Sequence, residues 1–284
     1  MKIDSIAVKR GVLLLFVAVS VALLAQQTAP SIYTLQPVAL ADVHITDEFW
    51  APKMEVNRTV SIRHLFEKFG DRSYDNPRLI EAASYMVART SDPELSKTLE
   101  TMVSHEIAAT ETRLKNPTRI SGYFYEAAVA YYHATGNRRM LDAAVKAFDA
   151  LEASYGPGKK TYISGHEGMK IGLLAMYRET GDARYARLAQ FFLDERGKED
   201  YPRTGEYAID RTYAQDDKPV IQQDQAEGHA VRAIYLYIPF MTSPPLAGAN
   251  LTNAPLNKPV GLICKLTMLD GRQQPDSTHF RPMR

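Results

Sequence analysis

The feature that most constrains the fold is a turn motif that recurs every 45 residues. It reads Thr90-Ser91-Asp92, Thr135-Gly136-Asn137 and Thr180-Gly181-Asp182, and each copy separates two apolar runs with helical spacing. Gly181 suits a helix C-terminus, and Asp92 before a proline suits a helix N-cap. The repeat predicts helical hairpins, but its period is compatible with both an open solenoid and a closed toroid.

The N-terminus has the layout of a secretory signal peptide. Lys2, Lys9 and Arg10 precede the apolar run GVLLLFVAVSVALLA, residues 11–25, and polar Gln26 follows it. The run is shorter than the ~20 residues that a membrane-spanning helix needs. We expect a signal peptide over 1–25, a linker over 26–41, a periplasmic or secreted protein, and no stable membrane association after cleavage. An uncleaved anchor is the alternative.

Composition indicates one ordinary globular domain with tails, because 45% of the 284 residues are hydrophobic and 24% are charged. A net charge of +1 gives no sign of the basic surface that binds nucleic acid. Cys264 is the one cysteine, so no internal disulfide can form. The 16 tyrosines against 1 tryptophan suit a cleft for sugars, whose C–H faces stack on rings while hydroxyls hydrogen-bond.

Periodicity predicts the elements. An extended lead-in over 32–50 ends in an apolar plug, Phe49-Trp50. Helices are expected over 52–69, from Pro77, from Pro93, over 124–134, over 137–151, up to Thr180, from Ala183, and over 223–237. Gly228 then lies mid-helix, at a cost of ~1 kcal/mol, which indicates a close approach there. The core positions predicted for the first helix are Met54, Val56, Val60, Leu65 and Phe66.

Three polar clusters were interpreted as structural. His105-Glu106 lacks a second histidine at i+4 and is predicted to be a solvated helix face. Residues 194–196, Asp-Glu-Arg, are predicted to be a salt-bridged helix end. Asp216 and Asp217 are less suited to a catalytic carboxylate pair, since adjacent residues of an extended segment point apart. The polar segment 198–219 between helices is of the kind that often carries function.

Several segments together resemble glycoside hydrolase family 127, the β-L-arabinofuranosidase family. They are EAAVAYYHATGNRRMLDAA, SGHEGMKIGLLAMYRETGDARYARLAQFFLDERG, YAQDDKPV and AEGHAVRAIYLY, with FWAPKMEVNR and YDNPRLIEAASYMVA matching more loosely. The resemblance covers 42–237. It implies an all-α fold, here a partial (α/α)6 barrel of helical hairpins with a short extended N-terminal lead-in and an irregular C-terminal tail.

The resemblance also implies a chemistry and a set of sugar-binding residues. Family members release terminal β-L-arabinofuranose with retention. Their nucleophile is a cysteine bound to a zinc ion, and further cysteines and a glutamate are the other ligands of that zinc. Carried over by motif, the substrate-binding residues are His166, Glu167, His229, Gln215 and Tyr123, the last standing where the family has histidine. As alternatives, the two histidines are core residues whose hydrogen bonds are satisfied within the fold, and Glu167 caps the N-terminus of a helix. The expected partners are plant-type arabinose-containing glycans.

The chain departs from the family pattern at its C-terminal end. Cys264 has no neighbouring cysteine, and no Glu-x-x-Cys pattern occurs. No catalytic residue, metal ligand or cofactor is therefore assigned to this chain, although zinc is expected in an intact family member. Residues 238–284 are proline-rich and predicted to be a tail unrelated to the family, produced by a frame shift or a truncation after Tyr237.

We therefore expect a hydrolase relative that lacks the catalytic half and is inactive. The alternatives are a non-catalytic sugar-binding remnant and a helical-repeat interaction protein. Since a partial ring leaves a hydrophobic edge uncovered, self-association through that edge is also predicted.

Overall fold

The computed structural model describes residues 38–69, 76–162, 168–198, 210–223, 225, 227–242 and 279–280. The chain divides into two units, Met1–Val38 and Ala39–Arg284. All described residues except Val38 belong to the second unit. The expected signal peptide, most of the linker and most of the C-terminal tail lie outside the described residues, so the predicted domain boundaries stay predictions.

Nine helices are described. They are α1 (Trp50–Val56), α2 (Ile62–Phe69), α3 (Pro77–Val87), α4 (Pro93–Arg113), α5 (Gly122–Thr135), α6 (Arg139–Ser154), α7 (Gly168–Thr180), α8 (Ala183–Glu195) and α9 (Ala230–Thr242). Short 3₁₀ turns occur at Leu40–Asp42, Pro117–Arg119 and Val220–Gln222, and a π turn at Asn57–Ser61 joins α1 to α2. The strands β1 (Gly228–His229) and β2 (His279–Phe280) pair antiparallel, with Gly228 opposite Phe280.

The helices form two layers of hairpins. In one layer α3 packs on α5, α5 on α7, and α7 on α9, and we call this the inner layer. Helices α4, α6 and α8 each pack on the inner helix that precedes them in the chain, and α4 also packs on α6. This arrangement confirms the predicted all-α hairpin fold. Within the described part of the chain, no helix combines the length and apolarity needed to cross a membrane.

The repeated turns confirm the first prediction from sequence. Gly136 and Gly181 have φ of 70° and 71°, the left-handed conformation that ends a helix. Asp92 Oδ1 accepts a hydrogen bond from the Leu95 amide at 3.0 Å, and Asp182 Oδ1 accepts one from the Arg184 amide at 2.9 Å. Each aspartate satisfies an N–H group that the first turn of α4 or α8 leaves without a helical partner.

Helices α5 and α7 run parallel and touch backbone to backbone at their N-terminal ends. A Cβ built on Gly122 would lie 1.9 Å from the Gly168 carbonyl oxygen, and one on Gly172 would lie 2.3 Å from the Gly122 oxygen. At the other end, His133 Nε2 lies 2.5 Å from Glu179 Oε2. The two glycines therefore fix how closely the middle of the inner layer can pack.

The N-terminal helices differ from their prediction. Val56, Val60 and Leu65 are exposed, and the buried residue is Ile62. The π turn adds a residue to one turn and so rotates the apolar stripe away from the positions that a regular helix would bury. The predicted plug is also wrong, since Phe49 and Trp50 are each about 60% exposed.

Two further predictions are wrong. Residues 228–229 are not inside a helix, because α9 begins at Ala230 and Gly228 has φ of 73°. The pair at 105–106 is not a solvated face: His105 is exposed, but Glu106 is buried and lies 3.2 Å from the guanidinium of Arg113.

Candidate functional site

The candidate site lies where the inner helices begin. His229 immediately precedes α9, and Tyr123 occupies the first turn of α5. The Tyr123 ring meets the ring of Tyr235 edge-on at 6.4 Å, and Tyr235 is six residues beyond His229. A helix rises 1.5 Å per residue, so Tyr235, the ring that Tyr123 meets, lies about 9 Å from His229 along the axis of α9.

His229 is half-buried and held from several sides. Its ring lies edge-on to Tyr213 with centroids 5.2 Å apart, and its amide donates to the Tyr213 carbonyl at 3.1 Å. Its Nδ1 lies 3.4 Å from the Arg232 amide nitrogen, a long contact that caps the start of α9. The imidazole is thus held at the N-terminal end of α9.

Gln215 acts on the backbone around His229. It is buried, with φ of 54°, and its Nε2 donates to the Glu227 carbonyl at 2.8 Å and to the Tyr213 carbonyl at 2.9 Å. The His229 carbonyl is 3.4 Å from the same nitrogen. Since this amide nitrogen serves three backbone carbonyls, the side chain predicted to touch sugar is placed to position His229.

We call residues 210–223 the strap, and a buried network fastens it to the helices. Gln223 Nε2 donates to the Gln215 carbonyl at 3.0 Å, and the Tyr237 hydroxyl donates to Gln223 Oε1 at 3.1 Å. Arg196 donates to the Ala214 carbonyl at 2.7 Å, and the Gly197 amide donates to Asp216 Oδ1 at 2.7 Å. These four buried hydrogen bonds hold the strap in place without a regular strand.

The predicted salt-bridged helix end is therefore only half right. Glu195 does pair with Lys198, at 2.6 Å, but Arg196 is 1% exposed and belongs to the strap network. The sequence signal was the glycine that follows it. Gly197 has φ of 82°, and its backbone passes so close to Lys218 that a Cβ would lie 2.1 Å from that carbonyl oxygen.

A second group of side chains, absent from the sequence prediction apart from Tyr123, lies at the same end of the layer. The guanidinium carbon of Arg78, on α3, lies 3.8 Å from the centroid of the Tyr123 ring, and Arg78 Nη2 donates to the Tyr235 hydroxyl at 3.0 Å. Burial, followed by the hydrogen bond with Tyr235, raises the pKa of Tyr123 to about 12. Tyr123 is thus a neutral phenol at physiological pH.

Glu126, one turn beyond Tyr123 on α5, was also missed. Burial raises the pKa of Glu126 to about 7, and the nearby carboxylate of Glu81 on α3 adds to the rise. Arg78 and Arg178 oppose it. The spacing along α5 does not reveal this, since the charged groups around Glu126 come from two other helices, α3 and α7.

Glu126→Gln is expected to stabilise the protein at pH 8 by about 1–3 kcal/mol and to change little at pH 5. The pKa of Glu126 is raised in the folded state, so its favourable contribution is complete below about pH 4.5 and is lost as pH rises through about 7. Urea unfolding at both pH values measures the difference. Glu67→Gln, on an exposed face of α2, is the control, and equal shifts for the two variants would contradict the prediction.

Two of the five predicted sugar-binding residues cannot be placed. His166 and Glu167 lie outside the described residues, as does Cys264. The described residues contain no group of three or more His, Cys, Asp or Glu side chains arranged to hold a metal ion. They therefore do not fit the zinc centre that the resemblance implies, and no step is derived through zinc.

Comparison with known proteins identifies the segment that holds the site. The family model for the catalytic domain of GH127 β-L-arabinofuranosidases matches residues 117–250. Residues 117–250 are thus similar to this catalytic domain. The match includes Tyr123, Gln215 and His229. It ends thirteen residues beyond Tyr237, which is the last residue of the segments that resemble the family.

Individual family-127 proteins agree with this match. A non-reducing end β-L-arabinofuranosidase of Bifidobacterium longum subsp. longum is 37% identical over 134 residues, which are 41% of this chain and 20% of that protein. A crystal structure of a GH127 β-L-arabinofuranosidase from Geobacillus stearothermophilus T6 superposes with a TM-score of 0.64 at 25% identity, over 79% of this chain and 45% of that one. A second GH127 β-arabinofuranosidase gives 0.65 at 28% identity, over 81% and 42%. The chain thus spans less than half the length of these relatives.

Proposed function

We propose that this chain recognises a terminal β-L-arabinofuranose unit at the start of the inner helices. The observation that carries the proposal is the position of His229. It lies beside Tyr213 and at the same end of the inner layer as Tyr123. An imidazole and several phenols provide the hydrogen-bonding groups and ring faces that a furanose needs. His166 and Glu167 belong to the proposal through their motif alone.

The proposal assigns roles by contact. His229 hydrogen-bonds a sugar hydroxyl, and Tyr123 and Tyr235 offer ring edges and faces to the sugar C–H groups. Gln215 holds the carbonyls on both sides of Gly228 and so keeps the imidazole at one distance from the tyrosines. The ligand is taken to be an arabinose-containing glycan met outside the cytoplasm, in agreement with the predicted signal peptide.

No residue of this chain is proposed to cleave the glycosidic bond. The retaining mechanism of the family requires a zinc-held cysteine nucleophile among further cysteines, whereas this 284-residue chain has one cysteine. We therefore propose that the chain binds the sugar without turning it over. Incubation with p-nitrophenyl β-L-arabinofuranoside, with and without added zinc, tests that part: nitrophenol release above the no-protein rate would contradict it.

His229→Ala is expected to weaken binding of methyl β-L-arabinofuranoside by about tenfold, since one hydrogen bond of the sugar is lost. Titration calorimetry or saturation-transfer NMR on the full chain measures the change. His133→Ala is the matched control, because His133 lies at the opposite end of α5 and contacts Glu179.

The outcome separates sugar recognition from the other hypotheses. Loss of binding in His229→Ala and not in His133→Ala supports the proposed site. No binding by the wild-type chain, or equal binding by both variants, would contradict it and favour a helical-repeat interaction protein.

A further inference from the structure

Arg78 forms a small platform with two tyrosines at the start of the inner layer. Its guanidinium stacks on the Tyr123 ring at 3.8 Å and donates to the Tyr235 hydroxyl at 3.0 Å, while the two rings meet edge-on at 6.4 Å. The three residues come from α3, α5 and α9. The platform therefore exists only in the folded layer and presents a planar cation flanked by two aromatic rings.

The partners of Arg78 differ from those of three other stacked arginines. Arg138, Arg139 and Arg184 each lie over an aromatic ring, and each also pairs with a carboxylate, at 3.3, 2.7 and 2.8 Å. Among the described residues, no carboxylate lies within ion-pair distance of Arg78, whose polar partners are tyrosine hydroxyls. Those three cations form ion pairs within the fold, whereas Arg78 acts on the carboxyl group of Glu126 without forming one.

The platform also faces solvent and lies at the starts of two helices. Arg78 is exposed, and Tyr123 and Tyr235 are half-buried. Arg78 and Tyr123 each occupy the first turn of their helix, where the helix dipole attracts negative charge. Two or more of the five guanidinium N–H groups remain available beyond the Tyr235 contact, enough for the two parallel hydrogen bonds that bind a carboxylate.

We propose that Arg78, Tyr123 and Tyr235 bind the carboxylate of a uronic acid, so that the glycan recognised here carries an acidic sugar next to arabinose. The guanidinium fork matches the carboxylate geometry, and the uronic acid then lies next to the arabinose that the two tyrosine rings contact. This inference rests on the proposed sugar-binding function and adds the charge of the ligand to it.

The test compares D-galacturonate with uncharged D-galactose as probes for the full chain at low salt. The wild-type protein is expected to bind galacturonate at least tenfold more tightly than galactose, and the preference should shrink as salt is added. Arg78→Gln should abolish the preference and leave galactose binding unchanged. Arg78→Lys keeps the charge and loses the planar fork, so an intermediate preference is expected.

Arg138→Gln is the matched control, because Arg138 also lies over a tyrosine ring but is paired with Asp142. It should keep the full preference. Equal binding of the two sugars, no measurable galacturonate binding, or a preference that survives Arg78→Gln would overturn the inference. If Arg78→Gln unfolds the chain, Arg78→Lys gives the same comparison in a folded protein.

Failure of this inference is distinguishable from failure of the proposed function. Methyl β-L-arabinofuranoside is uncharged, so its binding should depend on His229 whether or not the wild-type chain prefers galacturonate. A chain that binds this glycoside but shows no preference for galacturonate loses the acidic-sugar inference alone.

Discussion

Gly122→Ala is expected to destabilise the protein by about 3 kcal/mol, although alanine is the better helix former. Helix propensity alone would favour the substitution by up to ~1 kcal/mol. The added Cβ, however, would lie 1.9 Å from the Gly168 carbonyl oxygen and 2.5 Å from the Met169 amide nitrogen. These atoms are backbone and cannot rotate away, so α5 and α7 must separate, and contacts along their shared face are lost.

Urea unfolding of the full chain measures the effect. Gly136→Ala is the control, since Gly136 has positive φ but no heavy atom within 4 Å of the added Cβ, and it should cost only about 1 kcal/mol. Gly172→Ala meets the same interface from the α7 side, with its Cβ 2.3 Å from the Gly122 oxygen, and should resemble Gly122→Ala. A Gly122→Ala protein as stable as the wild type would show that the helices are not packed this closely.

The parts of the fold that could be predicted from sequence are those set by local chemistry. A Gly or Asp in a repeated turn acts on its own helix end, so Gly181 and Asp92 take the predicted conformation and hydrogen bond. Gly136 and Asp182 behave in the same way at the other copies of the turn. The apolar stripes of α3 to α8 follow the same logic. Leu79, Ile80 and Ala83, for example, are buried as their spacing indicates.

The parts that could not be predicted depend on residues distant in the chain. Arg196 looked like a surface charge, yet the strap carbonyl that it meets belongs to Ala214. Glu126 has a raised pKa because it is buried and because Glu81 reaches it from a neighbouring helix, which the spacing along α5 does not show. The close approach predicted at Gly228 is confirmed, but the helix predicted to include it is wrong. The backbone that approaches Gly228 belongs to the strap, and hydrophobic periodicity carries no information about such a contact.

Gly228→Ala is expected to remove sugar binding and to destabilise the protein by about 3 kcal/mol. Its φ of 73° is strained for alanine, and the added Cβ would lie 2.2 Å from the Thr212 carbonyl oxygen and 2.6 Å from Gln215 Nε2. The first atom is backbone, and the second holds the carbonyls that flank Gly228. The strap must therefore move, and the ring contact between Tyr213 and His229 goes with it.

Calorimetric titration with methyl β-L-arabinofuranoside, beside urea unfolding, distinguishes this local effect from general instability. Gly181→Ala has nearly the same φ, 71°, with open space around the added Cβ, so it should lose about 1 kcal/mol and keep full sugar binding. The larger loss of stability and of sugar binding in Gly228→Ala than in Gly181→Ala would then come from the contact with the strap alone, since the two glycines have nearly equal φ. If Gly228→Ala binds the sugar as the wild type does, the strap does not position His229, and the role assigned to Gln215 is wrong as well.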